Sequence, residues 1–398
     1  ENYQNSKIFN YLDNIHNADI AELLQNLDPI LRLSLLNIIR DKFDPEILTY
    51  LNDSLREEIV ETLDIKQLAS NAKQLDIDDA VDLVEDLEEE DQNTFLENLE
   101  EEERNLIEEG LNYPEDSAGR LMQRKFVSID QMWNVGQAID YLRANKKNLP
   151  DDFYDIYLID LNRKVEGVVP LGRLMGSKRE VKLSSISNKE IRVIEINTDQ
   201  EEVAFQFSKY GLVSAPVIDE QKKIIGSITV DDVVDVIEEE REEDILKLGG
   251  VGHTDIYNSV VDTTKSRISW LIVNLMTAVV ASLVIGLFEA AIEKVVALAI
   301  LMPIVASMGA NAGTQTLTVA VRALAVKELT TSNALKIITK ETLIGGINGI
   351  IFAIIISLVS MYWFQDYMLG IIIGLAMVLN LILAGFAGTI IPIALEKM

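Results

Sequence analysis

Between Leu301 and Arg322 the sequence reads Leu-Met-Pro-Ile-Val-Ala-Ser-Met-Gly-Ala-Asn-Ala-Gly-Thr-Gln-Thr-Leu-Thr-Val-Ala-Val-Arg. Pro303, Gly309, Asn311, Gly313, Thr314 and Gln315 thus fall inside an uncharged run from Val295 to Val321. Such a run is long enough to cross the hydrocarbon core, which takes roughly 20 residues. A proline and two glycines near its middle predict an interrupted helix, and backbone broken at that depth is tolerated only inside protein or along a water-filled cavity. Freed carbonyls together with the Asn311 amide would then hold a hydrated ion. The same residues read equally well as a glycine-rich packing surface whose hydroxyls bond back to the backbone.

Carboxylates form the second candidate set. Asp76 to Glu109 is nearly all acidic on its polar side, with Arg104 its one basic residue. A charge run is ordinarily a solvated face, but Asp78 and Asp82 stand one helical turn apart, where like charges destabilise a helix unless something neutralises them. Asp231 to Lys247 predicts one long acidic helix. Anionic lipid headgroups attract Lys and Arg, so this helix suits a cation better than a membrane surface. The chain has no cysteine and only two histidines, His16 and His253, which excludes disulfides, thiolate sites and Cys nucleophiles and leaves no zinc pattern. Any metal must be held by oxygen. No nucleophile–base set and no phosphate loop is present, so an enzyme is not expected, nor is a nucleic-acid partner.

The elements that must position these residues fall into two halves. The net charge of -29 comes almost wholly from residues before Ser266, and the long apolar runs come after it. Up to residue 112 the apolar spacing of Ile20–Leu27, Leu31–Ile39 and Ile59–Leu63 predicts short amphipathic helices, two of them starting at Asp28-Pro29 and Asp44-Pro45. A superhelical all-α domain follows. From 113 to 230, β-rich runs alternate with helices in two matching halves, Gly167 being as far from Gly226 as Asp160 is from Asp219. This duplication resembles paired CBS domains, β-α-β-β-α modules that bind adenine nucleotides or act as ligand-responsive hinges. The resemblance implies a ribose-holding turn at Gly226, Thr229 and Asp232, and hence ATP as a ligand; the first repeat departs, with Pro170 and Arg173 at the corresponding positions. Residues 231–264 read as the acidic connecting helix and a linker. Residues 265–398 contain four apolar spans, Ile268–Phe288, Val295–Val321, Leu343–Trp363 and Met368–Leu395. Lys265 and Arg267 and the loop with Arg322, Lys327, Lys336 and Lys340 place the N-terminal region and that loop in the cytosol, with Glu289–Lys294 and the turn Trp363–Tyr367, which has no positive residue, outside and Lys397 then inside. The chain opens on Glu1 with no leader-like segment, so its first domain is expected not to be exported. Asn348 and Asn380 are costly in lipid unless bonded within the bundle, and Gly345/Gly349 and Ala384/Gly388 carry packing spacing.

The order of these regions, the run Pro303–Thr316, the Tyr113-Pro-Glu-Asp-Ser-Ala-Gly entry, Lys340–Gly349 and Asn380…Gly388…Pro392 resemble the MgtE family of magnesium transporters over nearly the whole chain. The resemblance implies a homodimer in the cell membrane: helical N domain, tandem CBS domains, connecting helix and a polytopic helical bundle, so multidomain α plus α/β plus membrane α. It implies pore contacts at Gly309, Asn311, Gly313 and Gln315 with Pro303 breaking the span. Magnesium-sensing acids are implied at Asp78, Asp82, Asp199, Glu201, Asp232, Asp235, Glu240, Glu243 and Asp244, whereas Gly211 stands where the family has an acid. The family's fifth span, with its pore aspartate, lies past Met398, and the end there reads as a chain cut short. The expected function is a magnesium-selective channel closed by cytosolic magnesium. A nucleotide-responsive regulator anchored by its spans would have no use for Asn311 and Gln315 at membrane depth. Cobalt or calcium stays open as cargo, because oxygen sites select by size and hydration.

Overall fold

Several helices of the first hundred residues open on a side chain that satisfies a free N–H group, or on a proline that lacks one. His16 Nδ1 accepts from Ala18 N at 3.2 Å ahead of α1 (Asn17–Asn26), and Pro29 occupies the first position of α2 (Pro29–Ile39). α3 (Glu46–Thr49) starts just after Asp44-Pro45. Asn52 and Asp64 cap α4 (Asp53–Thr62) and α5 (Ile65–Asn71). Three acidic helices follow: α6 (Ile77–Glu85), α7 (Glu89–Glu97) and α8 (Glu101–Leu111). Their apolar faces close one core around Leu24, Leu48, Leu55, Ile59 and Phe95. Arg32 is buried in it, its charge met by Glu58 at 2.8 Å and its other donors by the carbonyls of Leu24 and Leu27. The structure is a computed structural model and describes residues 11–12, 14–40, 43–72, 75–150, 152–251, 260–330 and 332–395. His253 and Lys397 lie outside the described residues.

A short helix, α9 (Ala118–Leu121), leads into two small sheets of identical plan. In the first, β1 (Ser128–Asp130), α10 (Val135–Ala144), β2 (Asp155–Ile159), β3 (Val165–Pro170) and α11 (Leu171–Met175) follow in order, with β1 parallel and β3 antiparallel to β2. After α12 (Leu183–Ile186), the second repeats this as β4 (Ile194–Glu195), α13 (Gln200–Tyr210), β5 (Ser214–Ile218), β6 (Ile224–Thr229) and α14 (Val230–Leu248). The registers match as well: Leu158 faces Gly167 and Val217 faces Gly226, and a bulge follows each pair. Even the hairpin turns agree, Arg163 and Lys222 both adopting positive φ. Two repeats of one sequence pattern therefore fold into two copies of one β-α-β-β-α unit.

The chain divides into two compact units between Ser266 and Arg267. Beyond Leu248, α15 (Val260–Gly286) precedes the short α16 (Glu289–Lys294), then α17 (Ala297–Ala325), α18 (Ala334–Phe364) and α19 (Tyr367–Leu395). Among the described residues α15, α17, α18 and α19 are long and apolar enough to cross a membrane. α19 packs along both α18 and α17. Glycines make this approach close: a Cβ on Gly349 would lie 3.0 Å from Val378 Cα and one on Gly385 2.7 Å from the Glu341 carbonyl.

α17 corrects one expectation. It runs unbroken from Ala297 to Ala325 with Pro303 inside it. Pro303 falls in the second turn and forgoes the bond its N–H would make to Ala299 O, a loss that membrane helices tolerate because the freed carbonyl finds other partners, and an apolar medium offers the rest of the backbone nothing to replace helical bonds. Gly309 serves packing instead of a break, since a Cβ there would collide with the Asn380 amide.

Candidate functional site

α6 buries Ala80, Val81, Leu83 and Val84, and Asp78 lies on the same side, only 9% exposed. Its Oδ1 has no hydrogen-bond partner. Burial, then Asp232, Asp79 and Asp76, drive the Asp78 carboxyl well above the usual carboxylate range. Burial and the neighbours Asp76, Asp232, Asp82 and Glu46 raise Asp79 to about 7. Asp232 opens α14 and accepts from Thr229 N at 3.3 Å and Thr229 Oγ1 at 2.8 Å; burial outweighs these bonds and raises it to about 6. The N-terminal helices and the start of α14 thus press carboxylates together. Water offers the Asp78 oxygen no relief, whereas a cation would neutralise it.

A second acidic group spans α13 and α14. Asp199 caps α13, accepting from Glu201 N at 2.9 Å, and Gln200 Nε2 donates to Glu240 Oε1 at 2.9 Å. Burial first, then Glu243, Asp199 and Asp116, raise Glu240. Glu243 is also paired with Lys247 one turn on. Asp235 is raised by burial and by Glu238 and Asp231, and its field reaches Tyr50. Glu201 and Asp244 are exposed. Asp82 keeps part of its surface open to solvent, yet desolvation raises its carboxyl to about 6 against the opposing fields of Arg56 and Arg120.

The structure therefore brings Asp78 to Asp232, with Asp82 beside Asp79 at the edge of that group, and Asp199 to Glu240 and Glu243, while Asp244 is exposed. Among the described residues no three acids or histidines converge on one point as they would around a bare ion. Magnesium asks for less: it keeps most of its waters and takes one or two carboxylates. Asp76, Asp79, Glu46 and Asp116 are members the sequence reading missed. The Asp76–Asp79 run signals two of them, but Glu46 is brought in by the tertiary fold alone.

Between the two sheets a cleft is lined by Lys125, Phe126, Phe153, Tyr154, Tyr157 and Thr229 among others. The Tyr157 hydroxyl bonds to Ser214 at 2.9 Å and Ser227 at 2.6 Å, and Ser214 donates to Asp155 at 2.8 Å. Burial pushes Tyr157 up to about 12. Gly226 is there for packing, since a Cβ would lie 2.6 Å from Met122 Sδ. Thr229 and Asp232 bond to each other at the edge of the cleft. In the first repeat Arg173 instead donates to Ile186 O at 3.0 Å and Asn188 Oδ1 at 2.7 Å.

On α17, Gly309 is buried against α19, where Asn380 Nδ2 donates to Val305 O at 2.6 Å. Gly313 lies 3.9 Å from Ala384 by the same measure of an added Cβ. Asn311 and Gln315 point the other way and are exposed, as are Ser307, Thr314 and Thr318. At 100° per residue these five fall within one stripe of an otherwise apolar helix.

Residues 15–116 match the profile of the MgtE intracellular N domain, 183–239 that of the CBS domain, and 302–398 that of the divalent cation transporter domain named MgtE. The chain carries the domains of the MgtE family. The magnesium transporter MgtE of Bacillus subtilis is 32% identical over 289 residues, 72% of this chain, and that of Thermus thermophilus is 31% identical over 289 residues. The match spans 64% of each relative's own length. Among solved structures, the cytosolic domain of the Mg2+ channel MgtE in complex with ATP is similar, with a TM-score of 0.51 and 27% identity over 57% of this chain and 92% of that one. The soluble part of a magnesium transporter gives a TM-score of 0.52 at 25% identity, over 60% of this chain and 94% of that one.

Proposed function

We propose that this MgtE-family chain is the working part of a homodimeric, magnesium-selective channel of the cell membrane, gated by magnesium bound to its own cytosolic acids. The observation that carries the reading is the exposed polar stripe of α17. Asn311 and Gln315 on an apolar helix are costly against lipid, so they belong on a protein or water-lined face. A second copy would bring an equivalent stripe across a two-fold axis and leave oxygen donors facing each other. Gly309, Gly313 and Pro303 shape the helix behind that stripe, and amide and hydroxyl oxygens suit an ion that keeps its hydration shell.

Gating rests on the carboxylates. Asp78, Asp232 and their neighbours repel when ionised, so their elements separate when the ion is scarce. Asp199, Glu201, Glu240 and Glu243 form the second sensing group, with Asp235 and Asp244 on its margins and Asp82 at the edge of the first. Bound magnesium favours the packed arrangement only insofar as it binds that arrangement more tightly. Closing at high internal magnesium then limits entry. The aromatic cleft beside Gly226, Thr229 and Asp232 takes an adenine nucleotide, in keeping with the similar cytosolic domain solved with ATP.

Magnesium flux into liposomes tests the pore, using the chain extended through the remaining length of its relatives. Asn311→Leu is expected to lower flux at least tenfold with dimer and fold retained. Unchanged flux would move the ion path away from α17.

A further inference from the structure

The entry segment Tyr113–Arg124 is built to connect. Its backbone is stitched to the second repeat: Ala118 N donates to Thr198 O at 2.7 Å, Gly119 N to Ile196 O at 2.9 Å, and Gln123 exchanges bonds with Ser227 at 2.8 and 3.0 Å. Gly119 permits this, because a Cβ there would lie 2.7 Å from the Tyr113 ring. From that fixed base Arg120, 8% exposed, reaches back to the N-terminal helices. Its Nη1 and Nη2 hold both oxygens of Glu85 at 2.8 and 3.1 Å, and its Nε donates to Tyr113 O at 3.1 Å. Arg124 adds a second clamp to Glu109 on α8 at 2.9 Å.

Glu85 is the last residue of α6 and Asp78 the second, seven positions apart. Seven residues are nearly two full turns, so the two side chains leave the helix within about 20° of each other. Whatever fixes the direction of Glu85 also fixes that of Asp78. A bidentate arginine–carboxylate pair fixes direction as well as distance, and here the arginine is buried while the carboxylate is partly open to solvent.

We infer that Arg120 is a positioning residue for cation sensing: by gripping Glu85 it sets the rotation of α6 that presents Asp78 to Asp232 at the head of α14. This rests on the proposed sensing role of that pair. In the docked state the grip stands ready before any ion arrives, so less of the binding free energy is spent on bringing the two acids together. Without it the same acids remain, and a higher magnesium concentration is needed to pack them.

The chain has no cysteine, so nitroxide labels can be placed at Glu89→Cys and Glu220→Cys, both exposed, and the distance between them followed in the full chain as magnesium is raised. Arg120→Gln and Glu85→Gln are each expected to raise the magnesium midpoint about tenfold, and the double variant no more than either alone. Arg120→Lys, a point charge without the fork, should fall between. Glu85 is half-exposed, so its variant keeps the fold even where the arginine variant strains it. A responsive parent protein with both midpoints unmoved, or with shifts that multiply in the double variant, would overturn the positioning role alone. A parent distance that ignores magnesium would overturn the sensing reading and this role with it.

Discussion

Asp78 shows how one side chain links fold to pH. Its oxygen is buried without a partner beside Asp232, and its carboxyl, with those of Asp79 and Asp232, is raised above the usual range. Raised carboxyl groups mean that the native chain binds more protons than the unfolded chain between their ordinary values, near 4, and about 6 to 7. Stability must then fall as pH rises through that window. In magnesium-free buffer the thermal midpoint of the acidic region is expected to drop from pH 5 to pH 8, and millimolar magnesium should flatten the slope by replacing the protons. A midpoint that rises with pH would contradict the cluster. Asp78 was legible because like charges one turn apart ask for a counter-ion. That argument could not tell Asp78 from Asp82, since the arginines whose fields reach Asp82, Arg56 and Arg120, are brought to it from far away in sequence. Gly226 was legible as required but not as to why, for its neighbour Met122 is a tertiary fact.

At the scale of elements, periodicity carried most of the fold. The equal spacing of Gly167 from Gly226 and Asp160 from Asp219 announced the two sheets, and Asp-Pro pairs marked helix starts that α2 and α3 confirm. α17 runs unbroken where proline and glycine in the sequence predict a break. In a helix that has no water to bond with, glycine instead sets how near a neighbour can come. Gly309→Ala is accordingly expected to force Asn380 away from Val305 O and to cost about 1–3 kcal/mol of overpacking. Heat inactivation of the purified protein in detergent measures it; a wild-type midpoint would show that the α17–α19 contact yields freely. Asn380 satisfies its amide on a neighbouring helix, as its cost in lipid demands, while Asn348 is exposed on α18.

For the whole molecule, composition separated an acidic half from an apolar half, and the chain divides at that place. The central claim is that acids in the first half govern ion passage through the second. α14 carries Asp232, Asp235 and Asp244, so their joint replacement by Ala removes the proposed ion ligands and leaves the α17 stripe untouched. Neutralisation also removes repulsion, which by itself favours packing, and the two effects oppose. Loss of the ligand should prevail, since a divalent ion sits closer to each carboxylate than the carboxylates sit to one another. Single-channel recording across a magnesium range, in chains extended through their relatives' length, compares the parent with the triple variant. Open probability that stays high at millimolar internal magnesium in the variant, against closure in the parent, is the expected result; equal inhibition of the two would contradict control by these acids.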